Sequence, residues 1–315
     1  MLLKTLLSMA SPAGPRARLS VLMFHRVTPQ PDPIFPDEMH AERFDALCAG
    51  LKRWFNVLPL DEAARRLGDG TLPSRALCIT FDDGYADNRE VALPILQRHG
   101  LAAVFFITTG YLDGGRMWND SLIETVRACR LPELDLEPLG LGRHALGSFE
   151  QKRQAAQALI RQVKYQPVAR RLELCEQIAE RAGVELPTDL MMSSAQVVEL
   201  HRAGMQIGAH TLSHPILAKL DESEARAEIL GSKQQLEQLL GERVGLLAYP
   251  NGKPGEDYSP ANAELVRGLD FDAAVSTEWG TTRNGDDLMQ IRRFTPWDRS
   301  PARFAWRLLA NLRRG

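Results

Sequence analysis

Eight short apolar runs constrain this chain more than any other feature. They read LSVLMF, NVL, RALCITF, LAAVFFIT, MQIGAH, GLLAY, FDAAVS and MQIRRF. For most of the length they alternate with segments of helical period. In AERFDALCAGLKRWF, Phe44, Leu47, Leu51 and Phe55 share a face, and DESEARAEILGSKQQLEQLLG opens on an aspartate cap and stops at Gly241. Strands that alternate with helices pair in parallel, so the pattern predicts an α/β fold, and this many units predict a closed or nearly closed barrel. Chemistry in such a barrel gathers at the C-terminal ends of the strands.

The alternation lapses between about residues 115 and 190, where LPELDLEPLGLGRHALG gives way to charged helix such as SFEQKRQAAQALIRQVKY. The expected organisation is a lead-in over 1–18 and one barrel domain over 19–315, interrupted by a helical insertion over about 115–190. PQPDPIFP at 29–36 reads as a proline-rich loop after the first strand.

Composition narrows the partners. With 38 basic and 40 acidic residues the formal charge is -2, which gives no electrostatic reason to bind nucleic acid. No apolar run approaches the roughly 18 residues of a membrane span. Cys48, Cys78, Cys129 and Cys175 are scattered through apolar or helical contexts and read as buried thiols. The start, MLLKTLLSMASPAGPRAR, is a short leucine patch interrupted by Lys4, and reads as an amphipathic lead-in rather than a signal peptide. The cytoplasm is favoured, with membrane association and secretion left open.

Two stretches carry chemistry. TFDDG closes a strand with Asp82 and Asp83 side by side, and Gly84 permits a sharp turn that lets both face one pocket. Alone, the pair also fits a turn in which aspartates bond local amides. HTLSH, again after a strand-like run, supplies His210 and His214 at a spacing that lets two rings share one ion, although two unrelated loop histidines would look the same. Both stretches close strands of one barrel and so project onto one face. One aspartate with two histidines makes an open-sided metal site, and the other aspartate is free to act as a base.

TFDDG followed by HTLSH resembles the first two motifs of the polysaccharide deacetylase superfamily, the NodB-homology domain of carbohydrate esterase family 4, over residues 19–295. The resemblance implies a distorted (β/α) barrel of about seven to eight strands. It also implies hydrolysis of N-acetyl groups, less often O-acetyl groups, from aminosugar polymers with zinc or another divalent ion, iron, cobalt and nickel among them. Carried over, Asp82 is the general base, Asp83, His210 and His214 hold the metal, and the backbone amide of Asn251 helps stabilise the oxyanion.

Two departures stand out. Where many members have an arginine that holds the base, LLAYPNG has Ala248 ahead of Pro250. Arg292 or Arg293 of the last strand could brace Asp82 from another direction, or be exposed or structural. No histidine follows His214, so the usual C-terminal acid is missing; of the five histidines outside HTLSH, His25 alone follows a strand at the expected active face. LMFH also resembles the N-terminal motif of circularly permuted exopolysaccharide deacetylases, which supply the acid from the first strand. Tyr249 and Trp279, at strand ends, are candidates for sugar contact, with core packing as the other explanation. The expectation is a metal-dependent hydrolase that deacetylates N-acetylated aminosugars of a polysaccharide or oligosaccharide. A hydrolase of another amide or imide and a catalytically silent carbohydrate-binding barrel are the alternatives. The polymer and the oligomeric state are not encoded in any motif.

Overall fold

The computed structural model describes residues 2–296 and 301–314; Met1 of the expected lead-in, and residues 297–300 and 315 of the expected barrel, lie outside the described residues. In chain order the first elements are α1 (Leu2–Ala10), β1 (Arg18–Phe24), α2 (Ala41–Trp54), β2 (Asn56–Val57), α3 (Leu60–Gly68), β3 (Ala76–Phe81), α4 (Leu93–His99) and β4 (Val104–Ile107). Then come α5 (Trp118–Ala128), β5 (Glu133–Asp135), β6 (Arg143–Ala145), α6 (Phe149–Val163), α7 (Val168–Ala182), α8 (Ser194–Arg202) and β7 (Gln206–Ala209). The last are α9 (Glu222–Leu240), β8 (Leu246–Ala248), α10 (Pro260–Gly268), β9 (Ala273–Trp279), β10 (Thr282–Arg283), β11 (Ile291–Arg293) and α11 (Pro301–Arg314).

The chain divides into two compact units, one of residues 1–30, 39–112 and 192–315, the other of 31–38 and 113–191. In the first, the strand order is β10-β1-β3-β4-β7-β8-β9-β11, parallel throughout except for β10, which runs antiparallel to β1. A parallel bridge between Leu22 and Phe294 joins the two ends: the Met23 amide donates to the Phe294 carbonyl at 3.1 Å and the Phe294 amide to that of Val21 at 2.8 Å. The result is a nearly closed, distorted (β/α) barrel. Each of the eight apolar runs contributes a strand, but NVL forms only β2, a two-residue spur on β3 outside the ring. The short, polar β10 left no signal in the sequence.

Alternation along the strands sorts side chains between two cores. Leu77, Ile79 and Phe81 of β3 and Phe105 and Ile107 of β4 pack with α2, α4, α8 and α9 outside the ring. Cys78, Val104, Phe106, Ala248, Val275 and Ile291 fill the inside, together with Leu60, Ala63, Ala64 and Leu67 of α3. Asp82 lies two and four residues beyond Thr80 and Cys78, and Arg293 two beyond Ile291, so both continue the inward series.

The second unit has its own core, with Leu122, Val126, Leu159, Val163, Leu174 and Ile178 at its centre. It is mainly helical but carries an antiparallel pair, β5 with β6, that the sequence did not betray because Leu134 is the one buried residue of those six. The proline-rich stretch 31–38 belongs here, tied by Asp32, whose carboxylate takes the Arg127 guanidinium at 2.7 Å and the amides of Ile34 and Phe35. All four cysteines are free and buried, and burial pushes the thiols of Cys48 and Cys175 up to about 12. No helix among the described residues is long and apolar enough to cross a membrane.

Candidate active site

β3 delivers both aspartates. Asp82 follows the strand directions and its amide donates to the Phe24 carbonyl at 2.9 Å, whereas Asp83 leaves them at φ 77°, a left-handed conformation that aspartate tolerates better than most residues, and Gly84 follows at φ 89°. That turn lets sequence neighbours meet in one pocket. Positive φ at residues other than glycine recurs at Thr211, His214 and Asn251, so four of the seven such positions among the described residues surround this site. Backbone strain of that kind persists only where the surroundings enforce it.

Asp82 is buried and its two oxygens are gripped by Arg293, Nη1 to Oδ1 and Nη2 to Oδ2, both at 2.7 Å. Arg293 is itself fixed, donating from Nε to the Ser276 carbonyl at 2.7 Å and from Nη1 to the Thr80 hydroxyl at 3.1 Å. Of the two candidate arginines, then, the structure brings Arg293 to Asp82. Arg292 points the other way, to Glu278 at 3.4 Å and Asp286 at 3.8 Å. Burial opposes the charge of Asp82, but the Arg293 cation, His210 and the paired hydrogen bonds outweigh it and hold the carboxyl below its usual range.

Asp83, His210 and His214 come together, with one potential ligand atom from each within 4.8 Å of the others. Asp83 Oδ1 lies 3.4 Å from His210 Nε2 and 3.6 Å from His214 Nε2. It is buried, yet it makes no hydrogen bond. Two ligands each about 2.1 Å from a tetrahedral ion stand about 3.4 Å apart, so the orphaned oxygen and the two rings fit a divalent cation. The Nδ1 of His210 faces the Ala248 carbonyl at 2.8 Å. A carbonyl only accepts, so Nδ1 carries the proton and Nε2 is left as the donor atom for a metal. Burial opposes the charge of Asp83, but the contact with His210 and the neighbouring histidines outweigh it and keep the carboxyl ionised. Burial holds His214 down to about 4 against the pull of Asp83, which leaves its ring neutral and able to ligate.

The HTLSH loop is clamped from α9. Glu228 Oε2 accepts from the amides of Leu212 and Ser213, each at 2.9 Å, and Oε1 accepts the Ser213 hydroxyl at 2.6 Å. The sequence reading missed Glu228. It lies mid-helix among other acids, and only its burial side distinguishes it.

His25 directly follows β1, solvent-exposed and within electrostatic range of Asp82, Asp83 and His214. The Asn251 carbonyl accepts from the Thr277 hydroxyl at 2.8 Å, while its amide N–H has no partner among the described residues. Tyr249 is not at the surface. Its ring stacks on Tyr258 at 3.9 Å, its hydroxyl donates to the Met289 carbonyl at 2.9 Å, and it is fully buried, so the packing explanation applies and no face is open to a sugar. Trp279 is 44% exposed at the end of β9, with the Arg307 guanidinium 4.9 Å from its ring centre.

A family model described as polysaccharide deacetylase matches residues 69–271. The Bacillus subtilis (strain 168) protein YxkH is 19% identical over 279 residues, covering 88% of this chain and 71% of its own. Among solved structures, the Streptococcus pyogenes deacetylase PplD in complex with acetate superposes with a TM-score of 0.61 at 19% identity, over 94% of this chain and 98% of that one. IcaB from Ammonifex degensii gives 0.61 at 18% identity, over 96% and 98%. At these identities the structural likeness speaks for the fold, which runs nearly the whole length of both solved chains.

Proposed function

The chain belongs to the polysaccharide deacetylase family, and from that premise we propose that it hydrolyses N-acetyl groups from the aminosugars of a polysaccharide at the centre formed by Asp82, Asp83, His210 and His214. The observation that carries the proposal is the unequal treatment of two adjacent buried carboxylates. Asp82 is saturated by Arg293, while Asp83 presents an unpartnered oxygen to two histidines. A catalytically silent carbohydrate-binding barrel has no physical need for that division.

A divalent ion held by Asp83, His210 and His214 would supply a Lewis acid for the acetyl carbonyl; the donor set suits zinc first, and iron, cobalt or nickel as well. Asp82, ionised and oriented by Arg293, takes a proton from the water that attacks the acetyl carbon. The free amide of Asn251 is available to the oxygen that gains charge in that attack. His25 gives a proton to the departing nitrogen, so that the bond breaks to a neutral amine rather than an amide anion. The products are acetate and a free aminosugar, and acetate is the molecule bound in the S. pyogenes relative. Trp279, half exposed at the end of β9, offers a face for a sugar ring. Arg293 reaches Asp82 from β11 in place of the brace missing at Ala248, which supports this reading over a hydrolase of another amide.

The test is acetate release from N-acetylglucosamine oligomers by protein purified without chelator, with bound metal measured on the same sample. Wild type should release acetate and carry a divalent ion, and Asp83→Ala should lose both. Turnover of no acetylated glycan by metal-loaded wild type, or full metal content in Asp83→Ala, would sink the proposal.

A further inference from the structure

β1 ends at Phe24, and His25, Arg26 and Val27 continue as a loop whose first member is exposed to solvent. A proton donor on an untethered loop would sample many positions, and misplacement by about 1 Å can cost about 10²-fold in rate. Three consecutive residues of this loop are held by two consecutive residues from the segment after β3. Asp87 Oδ2 accepts from Arg26 Nε at 2.7 Å and its Oδ1 from the Val27 amide at 3.1 Å, while Asn88 Nδ2 donates to the His25 carbonyl at 2.8 Å. The same Nδ2 donates to Asp87 Oδ1 at 3.3 Å, which links the two holders. The Arg26 guanidinium also sits over the Tyr85 ring at 4.9 Å.

Asp87 and Asn88 are 5% and 0% exposed, and among the described residues all their side-chain hydrogen bonds go to residues 25–27 or to each other. Asn88 opens a single π-helical turn, Asn88–Ala92, before α4 begins. Such wide turns are rare and occur mostly where they serve a local geometry. The segment that presents Asp82 and Asp83 therefore also grips the loop that carries His25, four and five residues downstream of the second aspartate.

We propose that Asp87 and Asn88 are positioning residues that set His25 relative to the two aspartates, so that base, ligand and acid share one rigid frame. This rests on the assignment of His25 as the acid. The experiment compares Asn88→Ala, Asp87→Asn and His25→Ala on two substrates, an N-acetylglucosamine oligomer, whose nitrogen needs a proton to leave, and phenyl acetate, whose phenolate leaves without one. The tether variants should lose about 10²-fold in kcat on the amide with little change in KM, and keep most of the ester rate, as His25→Ala should. Equal losses on both substrates would indicate a merely structural role and overturn the proposal, as would undiminished amide turnover. Asp87→Asn keeps the side-chain volume and decides the matter if Asn88→Ala does not fold. If His25→Ala itself fails to discriminate amide from ester, the acid assignment falls; if it discriminates and the tether variants do not, only the tether falls.

Discussion

Asp83 in the barrel unit and Asp32 in the helical unit are both carboxylates on loops, the first buried and the second half-buried, and their surroundings are opposite. Asp32 has every oxygen used, Oδ1 by the amides of Ile34 and Phe35 and Oδ2 by Arg127. Asp83 has an oxygen with no hydrogen-bond partner among the described residues, in a loop held at positive φ. A buried acceptor left unmade costs free energy. What sets Asp83 apart is that its unmet oxygen faces two histidine rings, at 3.4 and 3.6 Å, whereas the oxygens of Asp32 are all taken by protein donors. Lys152 repeats the structural pattern in the helical unit, donating to the carbonyls of Arg127 and Cys129 at 2.8 Å each.

The comparison can be broken in the barrel at Arg293. Arg293→Ala strips Asp82 of the partner that fixes it, and kcat/KM for acetate release should fall about 10²- to 10⁴-fold, the range of a general base. Arg293→Lys should not restore the rate, since an ammonium cannot bond both oxygens in a fork; full activity in the lysine variant would show that charge alone suffices. Glu228→Ala frees the HTLSH loop without touching a ligand. Metal affinity, measured by competition with a chromogenic chelator, should weaken about 10- to 100-fold, while kcat at saturating metal stays near wild type; an unchanged affinity would mean that the loop holds its shape unaided.

The smallest effect is expected in the helical unit. Asp32→Asn should cost about 2 kcal/mol in urea unfolding at pH 7 and leave acetate release unaltered. Burial works against the charge of Asp32, but Arg127 and the amides of Ile34 and Phe35 outweigh it and lower the carboxyl below its ordinary value. A depressed carboxyl stabilises the fold above the unfolded value, near pH 4, and that contribution disappears as the pH falls through the folded value. The gap between wild type and Asp32→Asn should therefore narrow below about pH 4. A gap of the same size at pH 7 and pH 3 would mean that ionisation of Asp32 contributes nothing.

Much of the barrel was legible because a parallel strand buried on both faces must be a continuous apolar run, and seven of the ring's strands are such runs. β5, β6 and β10 were not, because two or three residues of half-exposed strand carry no periodicity. TFDDG and HTLSH announced four residues of the site because strand ends on one rim of a barrel must face one another. Tyr249, one residue beyond β8, turned into the core outside the ring to stack on Tyr258, since its place in the strand's alternation and not its residue type set its direction.

The sequence by itself determined the seven apolar strands of the ring, their parallel pairing and the two motifs of the site. Tertiary structure decided which arginine grips Asp82, since Arg292 and Arg293 differ only in which face of β11 they occupy. It decided the clamp of Glu228 on the HTLSH loop and the grip of Asp87 and Asn88 on residues 25–27. Each joins segments that no local pattern relates, and only the closure of the barrel sets the distance between them.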